Sequence, residues 1–240
     1  MPDPQDSSYK NELLRRMGSE DIALLEPHME RCALHLRMNL EQSRAPIEFV
    51  YFLEEGIGSV VAKSRQGRDT EIGFIGFEGM TGTALVMGDD RNVHECFVQM
   101  AGEAIRVDAG AFSALLASSP TMRLFLLRYA QTLHIQTGYT ALVNARSKLE
   151  ERLARWLLMC DDRVSGGRLT ITHEFLAVML GVRRPGVTVA LQLLEGHGLI
   201  RATRGEIAIR DRRGLVVLAN GGYGEAEAEY ERLIGSIGRS

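Results

Sequence analysis

The chain has 240 residues, 45% hydrophobic and 25% charged, which is ordinary for a soluble globular protein of one large or two modest domains. No apolar run approaches the roughly 20 residues of a membrane-spanning helix. The polar start Met1–Ser8 has no signal-peptide stretch, so we expect a cytoplasmic protein. Cys32, Cys96 and Cys160 are scattered and odd in number, which argues against a disulfide framework or a local zinc or iron–sulfur motif.

Charge is unevenly distributed along the chain. The net charge is −3, so the whole chain has no basic signature of nucleic-acid binding. Residues 149–213 nevertheless contain 11 Arg, no Lys and 8 acidic residues, a net charge of +3, which leaves −6 on the remainder. A mildly basic segment on an acidic body fits contact with DNA through one domain only.

The first half of the chain predicts helices followed by strands. Residues 9–38 have apolar residues at helical spacing and predict short amphipathic helices. Phe49–Leu53, Gly58–Ala62 and Thr70–Ile75 predict strands, and further short strands separated by glycine-containing turns continue to Val107. This pattern indicates an antiparallel β-sandwich or barrel rather than βαβ units.

A long helix is predicted over residues 118–147, because Ser119 followed by Pro120 is typical of a capped helix start. Residues spaced seven apart along it predict a coiled-coil interface between two copies of the chain, with a single core helix as the alternative. Gly138 interrupts the helix at a cost of about 1 kcal/mol relative to alanine, which suggests a close approach there. The predicted dimer-interface residues are Leu126, Leu133, Gly138 and Thr140.

Two short helices joined by a tight turn are predicted in the segment LTITHEFLAVMLGVRRPGVTVALQLL, residues 169–194. Thr172 caps the first helix and Gly181 supplies the turn. The second helix begins near Arg184, with Pro185 in its first turn. This order is that of a helix-turn-helix, whose second helix meets the bases and phosphates of DNA. The alternative is a helical hairpin with solvated arginines.

A small wing is predicted after the second helix. Leu199–Ala202 and Glu206–Ile209 alternate as strands around a turn with Arg204 at its tip, and Asp211–Leu215 closes the hairpin. Arginine suits the guanine edge or a phosphate bidentately. The predicted DNA-binding residues are Thr172, His173, Arg183, Arg184, Pro185, Gly186, Thr188, Gln192 and Arg204.

Several motifs together resemble the cyclic-AMP receptor protein/fumarate–nitrate regulator (Crp/Fnr) family along nearly the whole chain. VYFLEEGIGSVV and EIGFIGFEGMTG resemble its sensory β-roll, EERLARWLLMCDDR resembles the helix after its dimerisation helix, and THEFLAVMLGVRR with RGEIAIRDRRGL resembles its DNA-binding domain. The resemblance implies a bacterial transcription regulator that forms a homodimer, reads a palindromic DNA site and contacts RNA polymerase.

The same resemblance implies an α+β fold with three consecutive parts. These are a β-roll of the cyclic-nucleotide-binding (jelly-roll) type with N-terminal helices over 1–117, a dimerisation helix over 118–147 and a winged helix-turn-helix over 148–219. An additional helical tail is predicted over 220–240, because Tyr230, Leu233 and Ile234 lie at helical spacing. The tail packs on the DNA-binding domain or on the partner subunit, or it frays.

The chain departs from the cyclic-AMP receptors at the effector site. Those receptors use a glutamate for the ribose and, about ten residues later, an arginine for the cyclic phosphate. Gly79–Thr83 has no glutamate, Glu78 lies upstream, and Arg91 follows two aspartates as in a solvated turn. We therefore expect a subgroup that is not of the cyclic-AMP type, and assign no cofactor and no specific small-molecule effector. The residues that the resemblance places around an effector are Glu78, Thr81, Thr83, Arg91, Asn92, Gln136 and Tyr139.

The second helix also departs from the receptors, which read bases there with an arginine, a glutamate and a second arginine. Arg184 matches the first, but Pro185 and Val189 replace the others, so we expect a different DNA site. The rival function is a sensor of a cyclic nucleotide or other small ligand. An enzyme is not expected, because no nucleophile elbow, His-Glu-x-x-His motif or phosphate-binding glycine loop is found.

Overall fold

The computed structural model describes residues 9–64, 69–164, 168–203 and 205–237. The helices are α1 (Glu12–Arg16), α2 (Ser19–Leu25), α3 (Thr83–Met87), α4 (Ala109–Ser118), α5 (Pro120–Arg146), α6 (Leu149–Asp161), α7 (His173–Met179), α8 (Arg184–Gly196), α9 (Arg212–Leu218) and α10 (Glu225–Leu233). The strands are β1 (Glu30–Leu34), β2 (Asn39–Glu41), β3 (Phe49–Leu53), β4 (Ile57–Ala62), β5 (Thr70–Ile75), β6 (Glu95–Met100), β7 (Gly102–Asp108), β8 (Arg168–Thr170), β9 (Ile200–Thr203) and β10 (Glu206–Ile209).

Two compact units form, and neither is one continuous stretch of chain. The first unit consists of Met1–Val61, Phe74–His134 and Tyr230–Gly238. The second unit consists of Ala62–Gly73, Ile135–Glu229 and Arg239–Ser240. The four consecutive domains predicted from the sequence stay a prediction.

Antiparallel sheets build the first unit, as the alternation of apolar residues predicts. One sheet has the order β1-β7-β3 and the other the order β2-β6-β4-β5. Val50 lies opposite Val107 and Phe52 opposite Ile105, so aromatic and β-branched side chains pair across β3 and β7. The helices predicted over residues 9–38 are wrong beyond His28, because Glu30–Leu34 pairs with β7 as β1. Long-range pairing overrides the local helical spacing there.

The core of the first unit lies between a sheet and several helices. Phe52 and Phe112 meet edge to face with ring centroids 6.2 Å apart, and Leu13 of α1 is fully buried beside them. Tyr230 of α10 belongs to the same cluster, and Ile234 and Ile237 pack against that cluster. The tail thus contributes to this core, and none of the three roles predicted for it describes that position.

Helix α5 begins where the sequence predicts, since the Ser119 hydroxyl accepts a hydrogen bond from the Met122 N–H at 3.1 Å. The predicted dimer-interface residues do not lie on one exposed face. Leu126 is fully buried in the core and Leu133 packs against the neighbouring apolar cluster, whereas Gly138 is exposed and Thr140 half-buried. In the described chain, Leu126 contributes to the core of its own first unit, and the four-residue dimer interface stays a prediction.

A different set of α5 residues is exposed. Leu124 and Leu142 have 54% and 53% of their surface accessible, and Leu127 has 37%. Leu124 and Leu142 are five helical turns apart and so lie on one face of α5.

Two bent helix pairs, α4 with α5 and α7 with α8, pass a length and composition test for crossing a membrane. No single helix of the described residues passes it.

The second unit is built around α6, which is buried on nearly all sides. Eight consecutive residues, Leu153 to Cys160, are buried. Trp156 donates its indole N–H to the Glu71 carboxylate at 2.8 Å, which connects the beginning of β5 to this helix. A helix buried all round gives α7, α8 and α9 a fixed support.

Candidate nucleic-acid interface

Helices α7 and α8 form the predicted helix-turn-helix and meet at 103°, within the range of this motif. Thr172 caps α7 by accepting a hydrogen bond from the Phe175 N–H at 3.2 Å. Gly181 adopts a φ of +60° in the turn, a conformation that side chains with a Cβ rarely adopt. Arg183 then precedes α8, with Pro185 in the first turn, where its missing N–H breaks no helical bond.

Helix α8 has one buried and one exposed face. The buried residues Val187, Ala190, Leu191 and Leu194 pack into the second unit at helical spacing. Arg183, Arg184, Pro185 and Gln192 are exposed, as the prediction of a DNA-contacting helix requires. Val189, which was not among the predicted contacts, is 62% exposed on the same side.

The start of α7 is held against α8 by side chains. His173 Nδ1 lies 3.2 Å from the Thr188 hydroxyl, which also donates to the Arg184 carbonyl at 3.3 Å. The structure therefore brings four predicted DNA-binding residues, Thr172, His173, Arg184 and Thr188, to one end of the motif. These contacts fix the position of the first turn of α8.

Two of the predicted DNA-binding residues are not among those described above. Gly186 is half-buried and faces α6, because a Cβ built on it would lie 3.3 Å from Leu149 Cδ2. The absence of a Cβ thus lets α8 pack closely on α6 at this position, and a contact of Gly186 with DNA stays a prediction. Arg204, predicted at the wing tip, lies outside the described residues.

The wing is present as a three-stranded antiparallel sheet. Strands β9 and β10 pair as predicted, with Ile200 opposite Ile209, and the additional strand β8 pairs with β10. Glu195 of α8 accepts a hydrogen bond from the Ala202 N–H at 3.1 Å and connects the wing to the helix. Arg201 on β9 is an exposed cation beside the motif that sequence reasoning missed.

Arg152 of α6 connects this helix to the end of α7 in the helix-turn-helix. Its guanidinium donates to the Leu180 carbonyl at the end of α7 and to Asn144 Oδ1 at 3.0 Å. Burial lowers the pKa of Arg152. Only the fold reveals this contact, because 28 residues separate Arg152 from the carbonyl it binds.

A polar cluster joins α6 to α9. Arg212 donates to Asp161 and Asp162, each at 2.5 Å, and to the Tyr223 hydroxyl at 2.6 Å. Tyr223 donates to Asp162 at 2.6 Å. Burial is the larger cause and this hydrogen bond the next, and both raise the pKa of Tyr223. The cluster orders the segment after the wing, which the sequence predicts only as a hairpin closure and which forms α9.

The predicted effector residues are distributed over several elements of both units. In the first unit, Glu78 is buried and accepts from the Gly76 N–H at 3.1 Å, and the buried Thr81 accepts from the Tyr51 N–H at 3.0 Å. Arg91 is exposed and pairs with Asp90 at 2.7 Å. The remaining predicted residues are Thr83 at the start of α3, Asn92 in the loop after it, and Gln136 and Tyr139 on the part of α5 that belongs to the second unit.

Glu41 is the residue that sequence reasoning missed in this region. Its buried carboxylate accepts from the Gly82 N–H at 2.6 Å and from the Asn92 amide at 3.2 Å. Burial raises the pKa of Glu41, and these two hydrogen bonds oppose the rise. Asn92 is therefore used to hold a carboxylate of the protein itself.

The raised pKa of Glu41 predicts a pH effect on stability. The folded chain holds this proton more tightly than the unfolded chain, so the contribution of Glu41 to stability falls as pH rises from the unfolded pKa near 4.5 through the folded pKa. Glu41→Gln should therefore gain stability relative to the natural chain across that window, measured by urea denaturation at a series of pH values. The exposed Glu48→Gln is the control, and a difference between Glu41→Gln and the natural chain that does not change with pH contradicts the expectation.

Comparisons with known proteins agree with this geometry. The family described as the Crp-like helix-turn-helix domain matches residues 151–218. A protein from Eubacterium rectale, assigned to the Crp/Fnr family of transcriptional regulators, has a similar structure with a TM-score of 0.69 and 17% identity, covering 87% of this chain and 98% of its own. No curated protein sequence matches the chain.

Two other solved structures have similar folds. FixK2 from Bradyrhizobium japonicum has a TM-score of 0.66 and 16% identity, covering 79% of this chain and 96% of its own. The c-di-GMP-responsive global regulator CLP from Xanthomonas campestris has a TM-score of 0.65 and 17% identity, covering 80% and 99%. At these identities the likeness concerns the fold.

The helix-turn-helix geometry and the family match concern the same part of the chain, residues 151–218. The structural likenesses concern most of the chain. The β-sheet unit, the long helix α5 and the winged motif occur in the order that the sequence predicts. The chain thus carries a Crp-like helix-turn-helix domain and has the fold of the Crp/Fnr transcriptional regulators.

Proposed function

We propose that the protein is a sequence-specific DNA-binding transcription regulator that reads its site through α8. The observation that carries the proposal is the exposed face of α8, which presents Arg183, Arg184 and Gln192 at the position where a recognition helix enters the major groove. The contacts of His173 with Thr188 support it, because they fix this face against α7. Thr172 and His173 are proposed to contact the DNA backbone.

We propose further that the protein binds DNA as a homodimer through α5. The exposed leucines Leu124, Leu127 and Leu142 support this, since apolar residues on one face of a 27-residue helix are typical of a helix–helix interface. Dimers of helix-turn-helix proteins bind two half-sites about one turn of DNA apart, which requires a palindromic site. Contact with RNA polymerase, which the resemblance implies, and a cytoplasmic location, which the polar N-terminus suggests, stay predictions.

Selection from a random DNA duplex library tests the proposal. We expect the purified chain to enrich a palindromic site and to shift it in a gel at low salt. Arg184→Ala should weaken binding to that site by about 1–3 kcal/mol if the guanidinium contacts a base bidentately, or lower the salt slope by about one if it contacts a phosphate. In the second case, binding falls uniformly across sequences.

Arg123→Ala is the matched control, because it removes the same charge from an exposed position of α5. It should leave binding to the selected site unchanged. Failure of the natural chain to enrich any sequence, together with no effect of Arg184→Ala, overturns the proposal.

A sensor of a small ligand is the second candidate function, and the β-sheet unit supports it because CLP, which has a similar fold, is described as responsive to c-di-GMP. One cavity of the first unit, lined by Glu41, Pro46 and Tyr51, measures about 90 Å³, against roughly 300–1,000 Å³ for pockets that bury drug-sized ligands. The effector stays unassigned. Calorimetry with cyclic AMP, cyclic GMP and c-di-GMP tests this role, and micromolar binding of any of them establishes it.

A further inference from the structure

The centre of the exposed face of α8 carries no charged side chain. At 100° per residue, Pro185, Val189 and Gln192 lie within about 60° of one another, opposite the buried face. Val189 is 62% exposed and Gln192 is exposed as well. The arginines of this region, Arg183 and Arg184, lie only at the beginning of the helix.

The other polar side chains near this face already have partners. Glu195, the single acidic residue of α8, accepts the Ala202 N–H, so its carboxylate faces the wing. Thr188 is hydrogen-bonded to His173 and to the Arg184 carbonyl. The groups left for base recognition on the central face are therefore an aliphatic side chain and a primary amide.

These groups match one kind of base pair. Guanine is read by arginine or lysine on O6 and N7, and cytosine by a carboxylate on N4, and neither group lies at the centre of α8. Glutamine pairs bidentately with N6 and N7 of adenine, and apolar side chains contact the C5-methyl group of thymine. The chemistry of the face thus favours A·T pairs.

We propose that the centre of α8 reads A·T base pairs in each half-site, with Val189 packing on a thymine methyl group and Gln192 hydrogen-bonding an adenine. This inference rests on the proposed DNA-binding function and names the bases it recognises. Arg183 and Arg184 then hold the flanking phosphates or bases.

The first test is the composition of the site that the full-length chain selects from a random duplex library. We expect A·T pairs at the central positions of each half-site. Repeating the selection with Gln192→Ala should relax one adenine position, where discrimination should fall by roughly 5- to 150-fold, the range for a bidentate base contact.

The second test removes one methyl group from the DNA. Each thymine of the selected site is replaced in turn by uracil, and affinity is measured for the natural chain and for Val189→Ala. We expect one replacement to weaken the natural chain about fourfold, the usual effect of one buried methyl-sized group. The same replacement should have no effect on Val189→Ala, because the side chain that contacts the methyl group is gone.

Val178→Ala is the control, since Val178 is also an exposed valine of the motif but lies on α7 at 42% exposure. It should respond to the uracil replacement as the natural chain does. Circular dichroism checks that each variant folds. We expect both to fold, because substitutions at exposed positions usually change stability little.

The outcomes separate this inference from the function on which it rests. A selected site with G·C pairs at the central positions, or a methyl effect that persists in Val189→Ala, overturns the A·T assignment while leaving DNA binding intact. A natural chain that enriches no DNA overturns the proposed function itself, and the A·T assignment with it.

Discussion

Replacing Leu126 by alanine is expected to lower the free energy of unfolding by about 3 kcal/mol, within the range of 2–5 kcal/mol for buried leucines. Leu126 is fully buried in the cluster that contains Phe52 and Phe112, so the substitution leaves a cavity that its neighbours fill only in part. Urea denaturation followed by circular dichroism measures the loss.

Leu124→Ala is the matched control, because it makes the same substitution two residues away at a position that is 54% exposed. It should change the unfolding of the monomer by less than about 0.5 kcal/mol. Because Leu124 lies on the proposed dimer face, the variant should instead shift the monomer–dimer equilibrium toward monomer in analytical ultracentrifugation. Both expectations are contradicted if Leu126→Ala is a stable monomer while Leu124→Ala dimerises as the natural chain does. The heptad of Leu126 would then be the dimer interface.

Replacing Tyr230 by alanine is expected to cost the first unit about 3–5 kcal/mol, as for other large aromatic residues in a core. The ring is 5% exposed in the main cluster, and its hydroxyl donates to the Glu78 carbonyl at 2.7 Å. Burial raises the pKa of Tyr230, so the hydroxyl stays a donor at neutral pH.

Two further variants separate packing from hydrogen bonding at this position. Tyr230→Phe keeps the ring and removes one hydrogen bond, so it should cost about 1 kcal/mol. Glu231→Ala, at the exposed neighbouring position, should have an effect below about 0.5 kcal/mol. If Tyr230→Ala unfolds at the same urea concentration as the Glu231 variant, the tail does not stabilise the first unit.

The winged helix-turn-helix was predictable from the sequence because its signals are local. The Thr172 cap, the turn at Gly181 and the proline of α8 lie within 14 residues of one another, and each acts on its own stretch of backbone. The same holds for Ser119 at the start of α5 and for the aromatic and β-branched run of β3. These elements are confirmed at or near their predicted bounds.

The face of α5 was not predictable in the same way. A repeat of seven residues occurs on every face of a helix, so spacing alone does not say whether Leu126 meets its own core or a second copy. The packing of Phe52, Phe112 and Tyr230 against the helix decides it, and those residues come from distant parts of the chain.

The effector residues stay a prediction, and the hydrogen bonds around them could not be derived from the sequence for a related reason. Glu41 and Gly82 are 41 residues apart, yet a hydrogen bond between them holds the loop before α3. No local sequence pattern predicts a hydrogen bond between such distant residues. Glu78 lies close to the position that the resemblance suggests, but its carboxylate is bonded to the backbone of its own turn. Sequence spacing locates such loops without revealing which way their side chains point.

The placement of Tyr230 has a consequence for the order in which the chain can fold during synthesis. The ribosome delivers α1, the β-strands and the beginning of α5 first, but the residue that completes their core emerges only after the whole winged motif has been made. Until then, the apolar surface around Leu13 and Tyr129 lacks one of its covering side chains. The first unit therefore completes its core later than the winged motif, whose buried residues Val187, Leu191 and Leu194 are all translated before Tyr230.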